Sequence, residues 1–295
     1  MSQKMDFLAV QDLSSDILDL ARQLSIPSPV LASLPSVIAS LPKLPLAALS
    51  KPHTAQKAWS EITALLPTYA EDGGLPLLAA TLGGACFTRE EYRRQGIGED
   101  VYFATMLCLP RFLRETYEIT GRWGYDRGFW TWRQTGRLLF RLGELEFEYR
   151  LTERNEPLPE GLQAGDPILS VHIPSDAKLT REKLDASYTW AKRFFSEVPG
   201  PWISEKPRAI LCGTWLLSPE LYGLLSKNSG IRRFADDYSL YNFQQNDNAI
   251  YRWLYQLSGP VSAEKLPERT SLQRSVKGHL LSGGLIGIAW GILKD

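Results

Sequence analysis

Residues 138–151 read LLFRLGELEFEYRL, and this stretch decides the fold. Leu138, Phe140 and Leu142, then Leu145, Phe147 and Tyr149, alternate about Gly143, which is the two-residue period of a β-hairpin. Glu144, Glu146 and Glu148 share the opposite face. Downstream, TERNEPLPEGLQAGDP is a turn-rich loop, ILSVHIP (168–174) is a strand, and Thr180 to about Val198 is an amphipathic helix with Thr180 as its N-cap. RAILCGTWLL (208–217) has the apolar run of a buried strand, and Ser218-Pro219-Glu220 opens a short helix with proline in its first position. Residues 231–243 are expected as a strand, 249–257 and 271–281 as helices, and 285–293 as the closing strand.

Upstream the pattern is helical. An amphipathic helix is predicted over 5–23, short helices broken by proline over 27–52, and further helices over 54–69, 73–87 and 99–120. The character changes at about 122, where Arg122–Arg133 becomes dense in Trp, Tyr, Arg and Gly. The fold class is therefore a helical N-terminal domain, 1–121, followed by a mixed α/β domain with flanking helices, 122–295.

Composition narrows the function. Lys plus Arg and Asp plus Glu each number 33, so the formal net charge is zero. A protein built to hold a phosphate backbone carries a basic excess, and no nucleic-acid partner is expected. Cys86, Cys108 and Cys212 are odd in number and far apart, and His53, His172 and His279 are scattered, so no metal site is expected. No apolar run reaches the length of about 18 residues that crosses a bilayer. Asp6, Asp12, Asp16 and Asp19 spoil the first residues as a signal-peptide core, and a cytoplasmic location without membrane attachment is expected.

The segments GYDRGFWTWRQTGRLLFRLGELEFEY (124–149), SVHIPSDAKLT (170–180), GTWLLSPEL (213–221), SGIRRF (229–234) and TSLQRSVKGHLLSGGLIGIAWGIL (270–293) resemble a family of bacterial acyltransferase-domain proteins. That family pairs a helical N-acyltransferase N-terminal domain with a GNAT-like C-terminal domain. The resemblance implies an N-acyltransferase that moves an acyl group from acyl-CoA, its co-substrate, to an amine by direct attack. The alternative is a GNAT-like domain that binds a ligand or partner without catalysis. An open gap where the central strand leaves its neighbour separates the two.

The resemblance also implies roles for individual residues. His172, near the end of strand 168–174, would be the base that deprotonates the amine, because histidine is the side chain type suited to proton transfer near neutral pH. Glu146 is a second candidate base, and a solvated strand face is the plainer reading of that glutamate row. Tyr222 would protonate the leaving thiolate, or else be a packed aromatic. The turn Pro174–Arg181 stands where the CoA pyrophosphate would bind, with Ser175, Lys178, Thr180 and Arg181 as contacts. It lacks the glycines of the usual loop, and Asp176 opposes an anion. The one Arg-x-x-Gly-x-Gly match, Arg93–Gly98, follows a helical segment and is read as a helix–helix turn. The sequence names neither acyl chain, acceptor nor oligomeric state.

Overall fold

A computed structural model describes residues 5–66, 72–198, 205–245, 248–257 and 259–294. The chain forms two compact units. One comprises Met1–Leu142 with Ser196–Ser204, the other Gly143–Phe195 with Glu205–Asp295.

In the first unit, the helix expected over 5–23 begins later, as a 3-10 turn at Val10–Leu13 leading into α1, Ser14–Gln23. Leu8 is extended instead and exchanges two 2.9 Å backbone hydrogen bonds with Leu44. Helices α2 (Ser28–Ser40), α3 (Leu46–Leu49), α4 (Ala55–Leu65) and α5 (Leu75–Arg94) follow. Part of the predicted 54–69 helix and the start of its loop, 67–71, lies outside the described residues. Gly83 and Gly84 let α3 seat directly on α5, since Cβ atoms there would come within 2.8 Å of Leu46 and 2.7 Å of Leu49.

The single helix expected over 99–120 is two helices, α6 (Glu99–Met106) and α7 (Cys108–Thr120). Pro110 has no N–H to offer the Met106 carbonyl, so the ladder breaks at Leu107 and restarts. Arg93–Gly98 is a helix–helix turn. Gly96 adopts φ +68°, and the Ile97 amide closes on the Tyr92 carbonyl at 2.9 Å, capping α5. The aromatic run forms α8 (Gly128–Thr135), after which strand β1 (Leu139–Leu142) completes this unit. Tyr125 is fully buried, its hydroxyl 2.5 Å from that of Thr131.

The second unit carries strands β2 (Leu145–Leu151), β3 (Pro167–His172), β4 (Ile210–Thr214), β5 (Tyr238–Gln244) and β6 (Ile288–Leu293), in the spatial order β2-β3-β4-β6-β5. Gly143, at φ +76°, supplies the left-handed residue of the turn that precedes β2. Pairing is antiparallel except between β3 and β4, which are parallel. A parallel pair needs a crossover, and the long helix α9 (Arg181–Glu197) provides it. Its Tyr188 ring meets Phe147 of β2 and Tyr238 of β5 at 6.4 Å each, so one helix spans the sheet face.

Helices α10 (Pro219–Leu224) and α11 (Gly230–Asp236) come after β4. The strand expected over 231–243 is thus half helix. Phe234, fully buried, falls at the helical spacing from Ile231, and alternation begins only at Tyr238. Between β5 and β6 lie α12 (Ala249–Trp253), a 3-10 turn (Ala263–Lys265) and α13 (Ser271–Leu281). These build a satellite core of Trp215, Leu221, Ile250, Tyr255, Leu266, Val276 and Ile286. That is why the chain tolerates so long an excursion between two neighbouring strands: the inserted helices bury their own apolar face.

Candidate functional site

The centre of the second unit's sheet is incompletely zipped. The β3–β4 register runs Leu169↔Ile210 and Ser170↔Leu211, then stops. Strand β3 nevertheless continues to His172 and β4 to Thr214. Beyond the last pair, β4 stays in register with β6, through Cys212↔Gly291, Gly213↔Trp290 and Thr214↔Ala289. The ladder end therefore belongs to the β3 side alone. Cys212, its thiol raised in pKa by burial, donates weakly to the Val171 carbonyl at 3.5 Å. The next residue, Gly213, is exposed although it sits in the central strand. An exposed glycine with strand backbone on both sides leaves peptide groups within reach of a bound molecule.

His172 ends β3 beside this break. Register places it opposite Glu146 of β2, with Glu148 opposite Ser170. Its Nε2 lies 2.9 Å from Oε2 of Glu148. The glutamate row is not a solvated face: Glu146 is 3% exposed and Glu148 8%. Carboxylates leave water at this depth only where a partner meets them. For Glu148 that partner includes the imidazole. The alternation that marked the hairpin could reveal the shared face, but not that both of its sides are covered.

The 174–181 turn is held from within the unit. Glu144 accepts from the Lys178 amide at 2.8 Å and from the Lys183 ammonium. Thr180 donates its amide to the Lys178 carbonyl at 2.9 Å, and its own carbonyl receives the Leu184 amide at 3.0 Å, starting α9. Arg181 forks onto Asp237 at 2.5 Å and onto Asp185 at 2.6 Å, so its charge is balanced inside the fold. Ser175 and Lys178 lie on the same turn. The start of α11 closes against it, a Cβ at Gly230 falling 3.0 Å from the Leu179 carbonyl oxygen.

Tyr222 lies on α10. Its hydroxyl donates to Oδ1 of Asp236 at 2.7 Å, and the Arg232 guanidinium stacks 4.2 Å from its ring centroid. Asp236 carried no signal in the sequence, because it lies 14 residues away on another helix. The structure thus gathers Glu146, Glu148 and His172 into one cluster, while Tyr222 has its own carboxylate partner. Among the described residues, no group of three or more His, Cys, Asp or Glu is arranged to hold a metal ion. No described helix is long and apolar enough to cross a membrane.

Known proteins place this architecture. Residues 36–136 match the N-acyltransferase N-terminal domain, and residues 139–293 match the GNAT-like C-terminal domain. Among solved structures, the chain is similar to an acyltransferase in complex with decanoyl-CoA and teicoplanin, at 20% identity and a TM-score of 0.73, covering 100% of this chain and 91% of that one. It is similar to an acyltransferase mutant in complex with octanoyl-CoA, at 21% identity and a TM-score of 0.74 with the same coverage. A third, an acyltransferase in complex with CoA and 10C-teicoplanin, is 22% identical with a TM-score of 0.73, covering 94% of this chain and 86% of that one. At these identities the likeness is one of fold. No curated protein matches the sequence. With more than half of its length in the second of those domains, the chain belongs to the family defined by the GNAT-like C-terminal domain, here preceded by an N-acyltransferase N-terminal domain.

Proposed function

We propose that this protein is an N-acyltransferase that moves an acyl group from acyl-CoA to an amine. The observation that carries the reading is the β3–β4 ladder that ends at Ser170↔Leu211 with His172 standing beside it. Peptide groups freed from a ladder can bind an amide-bearing chain such as pantetheine and polarise a thioester carbonyl. Similar structures hold decanoyl-CoA, octanoyl-CoA or CoA, which makes medium-chain acyl-CoA the first donor to test. Two of them also hold teicoplanin or 10C-teicoplanin, which supports an amine on a small molecule as the acceptor class. The reading carries with it a bacterial, cytoplasmic setting, where acyl-CoA is available.

In this mechanism the 174–181 turn receives the pyrophosphate through Ser175, Lys178 and Thr180, and Arg181 braces the start of α9. Glu146 adds negative charge that favours a cationic acceptor. His172 takes the excess proton from the acceptor ammonium. The neutral amine nitrogen then forms a bond to the thioester carbon, the carbon–sulfur bond breaks, the thiolate takes the Tyr222 proton, and the second proton that the nitrogen sheds on becoming an amide returns through water to the tyrosinate. Tyr222 must leave Asp236 to give its proton. No covalent enzyme intermediate forms.

Thermal unfolding with acetyl-, octanoyl- and decanoyl-CoA tests the reading. A donor at about 100 times its Kd stabilises by about 2.7 kcal/mol, a shift of a few degrees. His172→Ala should keep that shift and lose acyl transfer by roughly 10²- to 10⁴-fold, the worth of a general base. Absence of a shift with every donor at high concentration sinks the proposal.

A further inference from the structure

The cluster at the end of β3 contains a group to which the mechanism above gives no role. Glu148 is nearly buried on β2, and its Oε2 meets Nε2 of His172 at 2.9 Å. An ionised carboxylate only accepts hydrogen bonds, so the imidazole nitrogen that faces it must carry the hydrogen. In a neutral ring the other nitrogen then holds the lone pair. We propose that Glu148 is a positioning residue that fixes His172 in the Nε2–H tautomer and makes Nδ1 the atom that accepts the amine proton. This rests on the acyltransferase reading for its role in turnover, but the tautomer itself does not.

Three features of the cluster support the assignment. First, the pairing crosses strands. Glu148 stands opposite Ser170 and Glu146 opposite His172, so the bond is a diagonal contact that only this register brings within reach. Second, the side chains are shielded, at 11% exposed for Glu148 and 23% for His172, so water competes poorly for either atom. Third, the strand register puts a second carboxylate beside the ring. Glu146 and Glu148 share the ring's face of the sheet, and Arg150, the next residue of β2 on that face, is clamped onto Glu156 at 2.6 and 2.7 Å. During transfer the proton goes from the ammonium nitrogen to Nδ1, directly or through one water. The positive charge formed is stabilised by Glu148 without moving the Nε2 hydrogen, as in other oriented carboxylate–imidazole pairs.

Nitrogen-15 NMR of the imidazole in the whole protein reads the tautomer without any assay of activity. In the neutral ring, Nε2 should show the protonated signature and Nδ1 the unprotonated one. The opposite pattern overturns the proposal. Glu148→Gln, checked for folding by its melting curve, should lower kcat about tenfold or more, leave the Kd of acyl-CoA unchanged, and move the acid limb of the pH–kcat/KM profile to lower pH. Glu148→Asp should recover part of kcat. A Glu148→Gln variant that folds, with a wild-type profile and wild-type tautomer, also overturns it. Failure of the wild-type protein to bind any acyl-CoA overturns the acyltransferase reading instead, and the NMR result on Glu148 stands apart from it.

Discussion

Gly213 of β4 lies directly under Trp290 of β6. The two are cross-strand partners, and a Cβ at 213 would sit 2.6 Å from the indole Nε1 and 2.7 Å from Cδ1. The glycine is thus required by the indole, and the indole covers backbone next to the point where β3 and β4 cease to pair. Gly213→Ala should cost about 1–3 kcal/mol, the usual range for forcing an extra carbon into a packed site. Because the clash is with one side chain, Trp290→Ala should relieve it. In a double-mutant cycle measured by denaturant unfolding, the two changes together should cost less than the sum of the singles. Simple additivity would show that the indole does not set the residue at 213.

Tyr222 is the proposed proton donor to the leaving thiolate. Tyr222→Phe keeps the ring beneath Arg232 and removes only the hydroxyl that Asp236 accepts. It should lower kcat by roughly 10²-fold or more and leave the acyl-CoA Kd within about twofold. Steady-state kinetics with parallel calorimetry reads the two quantities separately. An unchanged kcat removes Tyr222 from the mechanism.

The clamp between β2 and its following loop makes stability depend on acid. Burial alone pushes the Glu156 carboxyl up, but hydrogen bonds from Arg150 and the Glu153 amide outweigh it, and the net shift is downward from 4.5. A folded value below the unfolded one means that the contribution is complete above about pH 4.5 and fades as the pH falls through the folded value. The melting-temperature difference between wild type and Glu156→Gln should be largest at neutral pH and shrink below about pH 4.3. A difference that does not change across that window refutes the clamp as the source.

Helix α13 offers a stability change far from the chemistry. Thr270 accepts the Gln273 amide at 3.1 Å, and the Gln273 side chain returns a bond to the Thr270 amide at 3.3 Å. Thr270→Ala should cost about 1 kcal/mol and leave kcat and Kd untouched. Loss of activity in a folded Thr270→Ala protein would show that the inserted helices reach the site.

Much of this protein was legible before any tertiary contact was known. The alternation of 138–151, the Ser218-Pro219 helix start and the helix over 271–281 are local signals that hold, and the apolar run of 208–217 holds its strand at Ile210–Thr214 before Trp215–Leu217 turns as a 3-10 helix. Two boundaries misled for local reasons as well. Pro110 splits 99–120 in two, and the helical spacing of Ile231 and Phe234 is short enough to pass for a strand. The burial of the glutamate row has another cause. Whether Glu146 and Glu148 face water depends on what covers the second side of the sheet, and no residue within the strand records that.

By itself, the sequence determined most of the order of helices and strands, because backbone periodicity, caps and glycine or proline turns act over a few residues. It also determined the chemical inventory: one histidine near a strand end, a row of three glutamates, and no spaced metal-ligand set. Tertiary structure alone decided how that inventory is wired. Strand register joined Glu148 to His172, the packing of α10 against α11 joined Tyr222 to Asp236, and the early end of the β3–β4 ladder left Gly213 exposed. The first two pair residues 14 or more positions apart, and such pairings form only when the whole sheet and its helices bury their apolar faces together.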